Sequence, residues 1–447
     1  MALSFGQKAG WGLADMGIGV FVVVKQLLVF AFLTTFLGVP PAVAGWATFL
    51  VLGFDVVTDP LVGYLSDRTE SRWGRRLPWM AVGAPILAGG VVGMFLVPEG
   101  MGWQANMGWV VAFFALATIG FTCVAIPYGA MAGEMTQEAR ERSAMTAWRM
   151  VFASLGLLAA GAVVPALAGE SRSGYGRAVL TVAPLILVTI WGMLWLTRAA
   201  PRISRPATGS FAATLARVMG NRPFATLVSL YGLMTLAVAI VAAGLQLAAL
   251  YLIADAHSGP IGALVDTLGA FSTLFACFIV GAVASQYPWV RLSARLGQLG
   301  ALIAGLALYI VVLGIIYLAL PAASVSLLAV LFVLAGVGNG AYQQIPWAMY
   351  PDLMDLTRSR TGEPIEGAFS ALWLFGQKVA NACAPLILGL ILAAAGWQES
   401  TSGVVPQSDA ALEALRVSLT LVPAALLALA LLGCATLYRG ALRRAVA

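Results

Sequence analysis

Along this chain apolar residues fall in long runs, with short polar interruptions between them. A helix that crosses a bilayer needs roughly 20 mostly apolar residues, and about twelve runs reach that length. They lie at 10–38, 42–66, 78–98, 106–134, 143–168, 178–198, 223–250, 262–286, 296–319, 323–352, 367–396 and 414–439. Membrane β-strands would instead alternate polar and apolar side chains over about ten positions, and these runs do not alternate. The pattern predicts an all-α polytopic membrane protein. Six runs precede the longest polar interruption, 199–222, and six follow it. That stretch is rich in arginine and punctuated by Pro201 and Pro206, so it reads as a linker between six-helix bundles at 1–198 and 223–447. A weak internal repeat agrees. AIPYGAMAGEMTQEARER closes the fourth run and QIPWAMYPDLMDLTRSR closes the tenth. Related halves around a central site are a common membrane architecture.

Composition settles the solvent. The chain of 447 residues is 61% hydrophobic and 10% charged, with a mean hydropathy of +0.92. It lacks the polar surface that a soluble protein of this length requires. The first apolar run is too long for the core of a cleavable signal peptide. Cys123, Cys277, Cys383 and Cys434 all fall inside predicted spans and read as small apolar packing residues. His257 is the single histidine, which argues against histidine-based metal chemistry. The net charge of +6 is distributed as the positive-inside rule requires. With both termini in the cytoplasm, about nineteen of the 25 lysines and arginines fall in cytoplasmic segments. The basic residues therefore orient the protein in a membrane, expected to be a bacterial inner membrane, and no nucleic-acid partner is implied. Lys25, Arg149 and Lys378 lie within spans and need another explanation.

The charges inside the runs carry the chemistry. In DVVTDPLVGYLSD, Asp55 and Asp59 sit four residues apart in apolar surroundings. On a helix they share a face, about 40° apart. An ionised carboxylate deep in a bilayer is expensive, and two adjacent ones repel. A cation between them, a proton on one, or a basic partner such as Lys378 would relieve the cost. Carboxylate oxygens and the Thr58 hydroxyl are hard ligands. The pair reads as a Na⁺ or H⁺ site, and the hydroxyl favours Na⁺. Lys25 admits two readings: it neutralises a membrane carboxylate, or it attracts an anionic solute. Arg149 could reach the cytoplasm, or its planar fork could hold a carboxylate, sulfonate or phosphate.

GYLSDRTESRWGRR, with Gly63, Asp67, Arg68, Gly74, Arg75 and Arg76, resembles the loop between the second and third helices of the major facilitator superfamily. The longer string DVVTDPLVGYLSDRTESRWGRRLPW resembles the glycoside–pentoside–hexuronide:cation symporters, the family that includes melibiose permease. Asp15, IPYGA, WRMVFASLG and PDLMD…GAFSALWLFGQK extend the likeness over nearly the whole chain. The resemblance implies the major facilitator fold, with twelve helices in two bundles. It implies cation binding at Asp55, Thr58, Asp59 and Thr122. It implies sugar contacts at Asp15 and Arg149, with Lys378 as the family's helix-eleven lysine. Two departures weaken a galactoside. Ala125 and Gly129 stand where an acidic residue and a tryptophan are expected, and Gln343 replaces a second tryptophan.

Gln246, Asn339, Tyr342, Gln343, Gln344, Trp347, Trp373, Gln377 and Asn381 add polar and aromatic groups to the seventh, tenth and eleventh runs. Helix–helix hydrogen bonds account for some of them, and the rest suit a wet path. The resulting expectation is a secondary transporter that couples Na⁺ or H⁺ to a glycoside, uronide or sulfonated sugar by alternating access. Asp15, Lys25, Arg149, Gln343, Trp347, Trp373 and Lys378 are its candidate solute contacts. Three basic groups against Asp15, once a cation satisfies Asp55 and Asp59, favour an anionic solute. No cofactor is expected, membrane lipid surrounds the chain, and a monomer suffices. Two other classes are open: a carrier of lysolipid-like anions, and a membrane prenyltransferase whose spaced aspartates, including Asp352 and Asp355, would hold Mg²⁺.

Overall fold

The computed structural model describes residues 3–136, 138–169, 171–201, 221–253, 261–320, 324–361 and 366–441. Most of the expected linker, His257 and the carboxylates of Asp352 and Asp355 lie outside the described residues. All regular elements among the described residues are helices. Eleven are long and apolar enough to cross a membrane, or twelve if one bent pair counts as a single span. In chain order they are α1 (Phe5–Phe36), α2 (Pro41–Arg68), α3 (Leu77–Phe95), α4 (Trp103–Met135), α5 (Ala144–Ala168) and α6 (Arg172–Leu196). Then follow α7 (Arg222–Tyr251), the bent α8 (Gly262–Leu268 with Ala270–Ala284), α9 (Gln286–Ala319), α10 (Val325–Tyr350), α11 (Leu372–Ala394) and α12 (Asp409–Ala441). The protein is an integral, multi-pass membrane protein.

The eighth span differs from the continuous helix expected over 262–286. Its two pieces meet at 112°, at Gly269 with φ +82°. Only glycine enters that backbone region without steric cost, and hydropathy cannot register such a turn. A second glycine, Gly297 (φ 76°, ψ 160°), breaks α9 beside the expected start of the ninth run.

The chain divides into two compact units. The first holds Met1–Pro206 with Thr267–Ser272 and Gln398–Pro406; the second holds Ala207–Asp266, Thr273–Trp397 and Gln407–Ala447. In the first unit, α1 opens with a capping box between Ser4 and Gln7, which satisfies two backbone N–H groups that would otherwise be unpaired. Farther along, α1 widens into a π-helical turn at Val24–Leu28. The α1–α5 contact depends on two glycines. A Cβ on Gly12 would come within 2.7 Å of the Arg149 backbone nitrogen, and one on Gly156 would collide with the Met16 carbonyl. Their absence lets the two backbones approach closely enough to bring Asp15 and Arg149 together. Pro41 starts α2 at a position where its missing N–H costs nothing.

Candidate functional site

One polar centre of the first unit is built from α1, α2 and α4. Asp55 and Thr58 are buried, and so is Thr122. The Thr122 hydroxyl lies 3.0 Å from Asp55 Oδ1 and 3.2 Å from Asp59 Oδ1. One hydroxyl thus stands between two carboxylates of α2. Thr58 Oγ1 lies 3.5 Å from Thr122 Oγ1, while its proton has backbone acceptors on Phe54 at 3.2 Å and Asp55 at 3.3 Å. The fourth neighbour is Lys25, whose Nζ is 3.4 Å from Asp55 Oδ2. The ring of Phe121 lies 4.5 Å from the same Nζ. Of the two readings of Lys25, neutralising a membrane carboxylate and attracting an anionic solute, the contact with Asp55 matches the first. Helical spacing from Asp15 within α1 cannot say which neighbouring helix a side chain will meet.

A second centre joins α1, α4 and α5. Arg149 donates from Nε to Asp15 Oδ2 at 2.6 Å, and from Nη2 to Oδ1 at 3.5 Å. The Tyr128 hydroxyl donates to the same Asp15 Oδ2 at 2.6 Å. Trp11 stacks on Tyr128 with ring centroids 4.7 Å apart. Asp15 is buried, while the Arg149 side chain is partly exposed, at 42% of its surface. With Lys25 on Asp55 and Arg149 on Asp15, the basic surplus inferred from sequence shrinks, and with it the electrostatic case for a strictly anionic solute. Charge-paired donors and acceptors also suit the hydroxyls of a neutral sugar.

The loop motif forms its own cluster. Glu134 of α4 accepts from Arg76 Nε at 2.8 Å and from Arg75. Arg76 also meets Asp67 Oδ1 at 2.8 Å. Arg68 lies over the Tyr64 ring at 4.0 Å, and Gly63 faces Ile126 of α4 with room to spare. Nearby in sequence, Glu141 accepts from the Leu3 amide at 2.7 Å, from Thr136 at 2.8 Å and from Lys8 at 3.1 Å. The Thr136 hydroxyl first, then the Leu3 N–H, hold its carboxyl below the ordinary glutamate range.

In the second unit the polar spans meet as an aromatic cluster. Tyr231 of α7 stacks on Trp373 of α11 with centroids 4.2 Å apart, and on Tyr342 at 5.6 Å. Tyr350 also stacks on Trp373, at 5.0 Å. Trp347 donates its indole N–H to the Tyr231 hydroxyl at 3.0 Å, and Tyr342 donates to Thr235 at 2.9 Å. Gln246 and Asn339 are buried. Gln343 is exposed, while Gln344, Gln377, Lys378 and Asn381 are partly buried. Trp347 and Trp373 therefore come together, whereas Gln343 is exposed.

Tyr128, Phe121, Tyr231 and Glu134 escaped the sequence reading. Tyr128 stood inside the quoted IPYGA string, and a phenol deep in an apolar run is a signal that could have found it. Among the described residues no group of three or more His, Cys, Asp or Glu could hold a metal ion. Two carboxylates and a hydroxyl suit a monovalent cation or a proton.

The family described as MFS/sugar transport protein matches this chain over residues 10–439. A putative glycoside/cation symporter, YagG of Escherichia coli (strain K12), is 26% identical over 90% of this chain and 85% of its own length. The glucuronide carrier protein homolog of the same organism is 25% identical over 96% of this chain and 91% of its own. The crystal structure of the nucleoside transporter NupG superimposes with a TM-score of 0.67 at 14% identity, covering 97% of this chain and all of that one. That likeness establishes the fold. These matches, with helices that fill the bilayer and a charged pair sheltered inside one bundle, mark a secondary transporter and not an enzyme. The chain belongs to the MFS/sugar transport protein family.

Proposed function

We propose that this protein is a symporter that moves a sugar or sugar-acid solute together with a monovalent cation, Na⁺ or H⁺, by alternating access. The observation that carries this reading is the Asp55–Thr122–Asp59 arrangement, in which one hydroxyl lies within hydrogen-bond distance of two carboxylates, Asp55 buried and Asp59 half-buried. Two like charges that close are stable only when a cation or a basic group compensates them. A site whose charge must be balanced from outside is one whose occupancy can be coupled to conformation. The solute contacts of the first unit are Asp15 and Arg149, a donor–acceptor pair whose arginine side chain is partly exposed. Relatives named as a glycoside/cation symporter and a glucuronide carrier support a saccharide.

The test is accumulation in proteoliposomes under a Na⁺ or a proton gradient, with a panel of matched glucosides and glucuronides. Uphill uptake of at least one saccharide, lost when both gradients are collapsed, is the expected outcome. Uptake that only equilibrates, or competition by lysolipid and by no saccharide, would refute it.

A further inference from the structure

The segment that joins α8 to α9 carries charges that the transport reading does not use. α9 is longer than a crossing requires. Gln298–Ala319, beyond the break at Gly297, already supplies the roughly 20 residues of a span. Gln286–Leu296 is therefore surplus to the span, and only Ser285 separates it from the end of α8 at Ala284. A link that short between two crossings stays at the bilayer surface. Its inner face is fixed by Trp289, which is buried and donates its indole N–H to the Val337 carbonyl of α10 at 2.8 Å. Tyr287, Val290, Arg291, Ala294 and Arg295 make up the opposite face, and all five are exposed.

Arg291 and Arg295 are the only charged residues in the sequence between Asp266 and Asp352. In the first unit the loop arginines Arg75 and Arg76 close on Glu134. Neither Arg291 nor Arg295 pairs with a carboxylate among the described residues. Four residues apart on a helix, their Cβ atoms stand about 6 Å from one another, so both planar forks can reach one phosphate. The Arg291 guanidinium lies over the Tyr287 ring at 4.5 Å, a contact that holds it in place without consuming its N–H donors. Tyr287 and Val290 add exposed apolar surface beside the charges, as befits a helix lying at the boundary of headgroups and acyl chains. We propose that Arg291 and Arg295, with Tyr287, form a site for the headgroup phosphate of an anionic phospholipid. A soluble phosphate would gain from the two arginines but nothing from their apolar neighbours, so the face as a whole selects the lipid. The site lies within the second unit and stands independently of the coupling reading.

The experiment places the full-length protein in nanodiscs of phosphatidylcholine containing a small fraction of photoactivatable phosphatidylglycerol, and maps the crosslinks by mass spectrometry. Labelling is expected within Gln286–Leu296. Unlabelled phosphatidylglycerol in the same discs should suppress it, while soluble glycerol phosphate should not. The double variant Arg291→Gln/Arg295→Gln should lower labelling of the segment on the order of 25-fold, about fivefold per arginine. Arg291→Lys/Arg295→Lys keeps both charges and should retain most of it; each variant is checked by size-exclusion chromatography. The proposal is overturned if wild type is not labelled in this segment, or if extra phosphatidylcholine competes as well as phosphatidylglycerol. Displacement by glycerol phosphate, or full labelling of the glutamine variant, overturns it as well.

Discussion

The two units bury different kinds of polar chemistry. In the first, Asp15 and Asp55 are buried, and each is matched by a basic side chain from another helix or another turn. In the second, the buried polar residues among those described carry no formal charge; the centre is a stack of Tyr231, Trp373, Tyr350 and Tyr342. A buried charge is stable only in the company of its partner, so its surroundings respond when a proton or ion arrives. A stack of rings is held by area and shape and carries no formal charge. On our reading, coupling belongs to the first unit, and the second presents a passive platform.

The sharpest way to break that contrast is to neutralise one carboxylate. Asp55→Asn or Asp59→Asn is expected to abolish gradient-driven accumulation while the protein stays folded, since the amide keeps the shape and loses the charge. Normal uphill accumulation by either variant would move coupling elsewhere. Truncating the aromatic centre should act on stability first. Trp373→Ala removes a fully buried ring and should cost about 3–5 kcal/mol, read as a lower thermal midpoint in detergent. A smaller change tests the hydrogen bond within the stack. Trp347→Phe keeps a ring but removes the N–H donated to Tyr231, and should cost about 1 kcal/mol. Neither change should alter the pH dependence of transport; if either does, the second unit is not passive.

The smallest effect lies at the N-terminus. The Glu141 carboxyl is held below its ordinary value of 4.5 because Thr136, then Leu3, bond its ionised form. A depressed acid stabilises the fold above its ordinary value, and that contribution disappears as the pH falls through the lowered one. Protection of the Leu3 amide, followed by hydrogen exchange corrected for intrinsic rate, should therefore decline below about pH 4.5. Glu141→Gln should flatten that decline. A pH response that survives in Glu141→Gln would assign it to another group.

How much was legible beforehand follows a physical boundary. Hydropathy sums local transfer free energies over the length of a span, so the all-helical, multi-span architecture was readable without any knowledge of contacts. The α2 aspartates stood out for the same reason: charge in an apolar run is visible one residue at a time. Thr122 came from resemblance alone. The bend at Gly269 was not legible, because a single positive φ leaves hydropathy unchanged.

Partner choice is where local information stops. Lys25 and Arg149 were both recognisable as bases within predicted spans, yet nothing in their own helices says that one meets Asp55 and the other Asp15. That depends on which helices touch and how closely. For α1 and α5 the approach is permitted by missing side chains at Gly12 and Gly156; for Lys25 it accompanies a π-helical turn in α1. The sequence by itself determined that this protein spans a membrane and carries charge inside it. Only the tertiary structure decided which charges neutralise one another, because a Coulomb interaction depends on distance across helices and not on spacing along the chain.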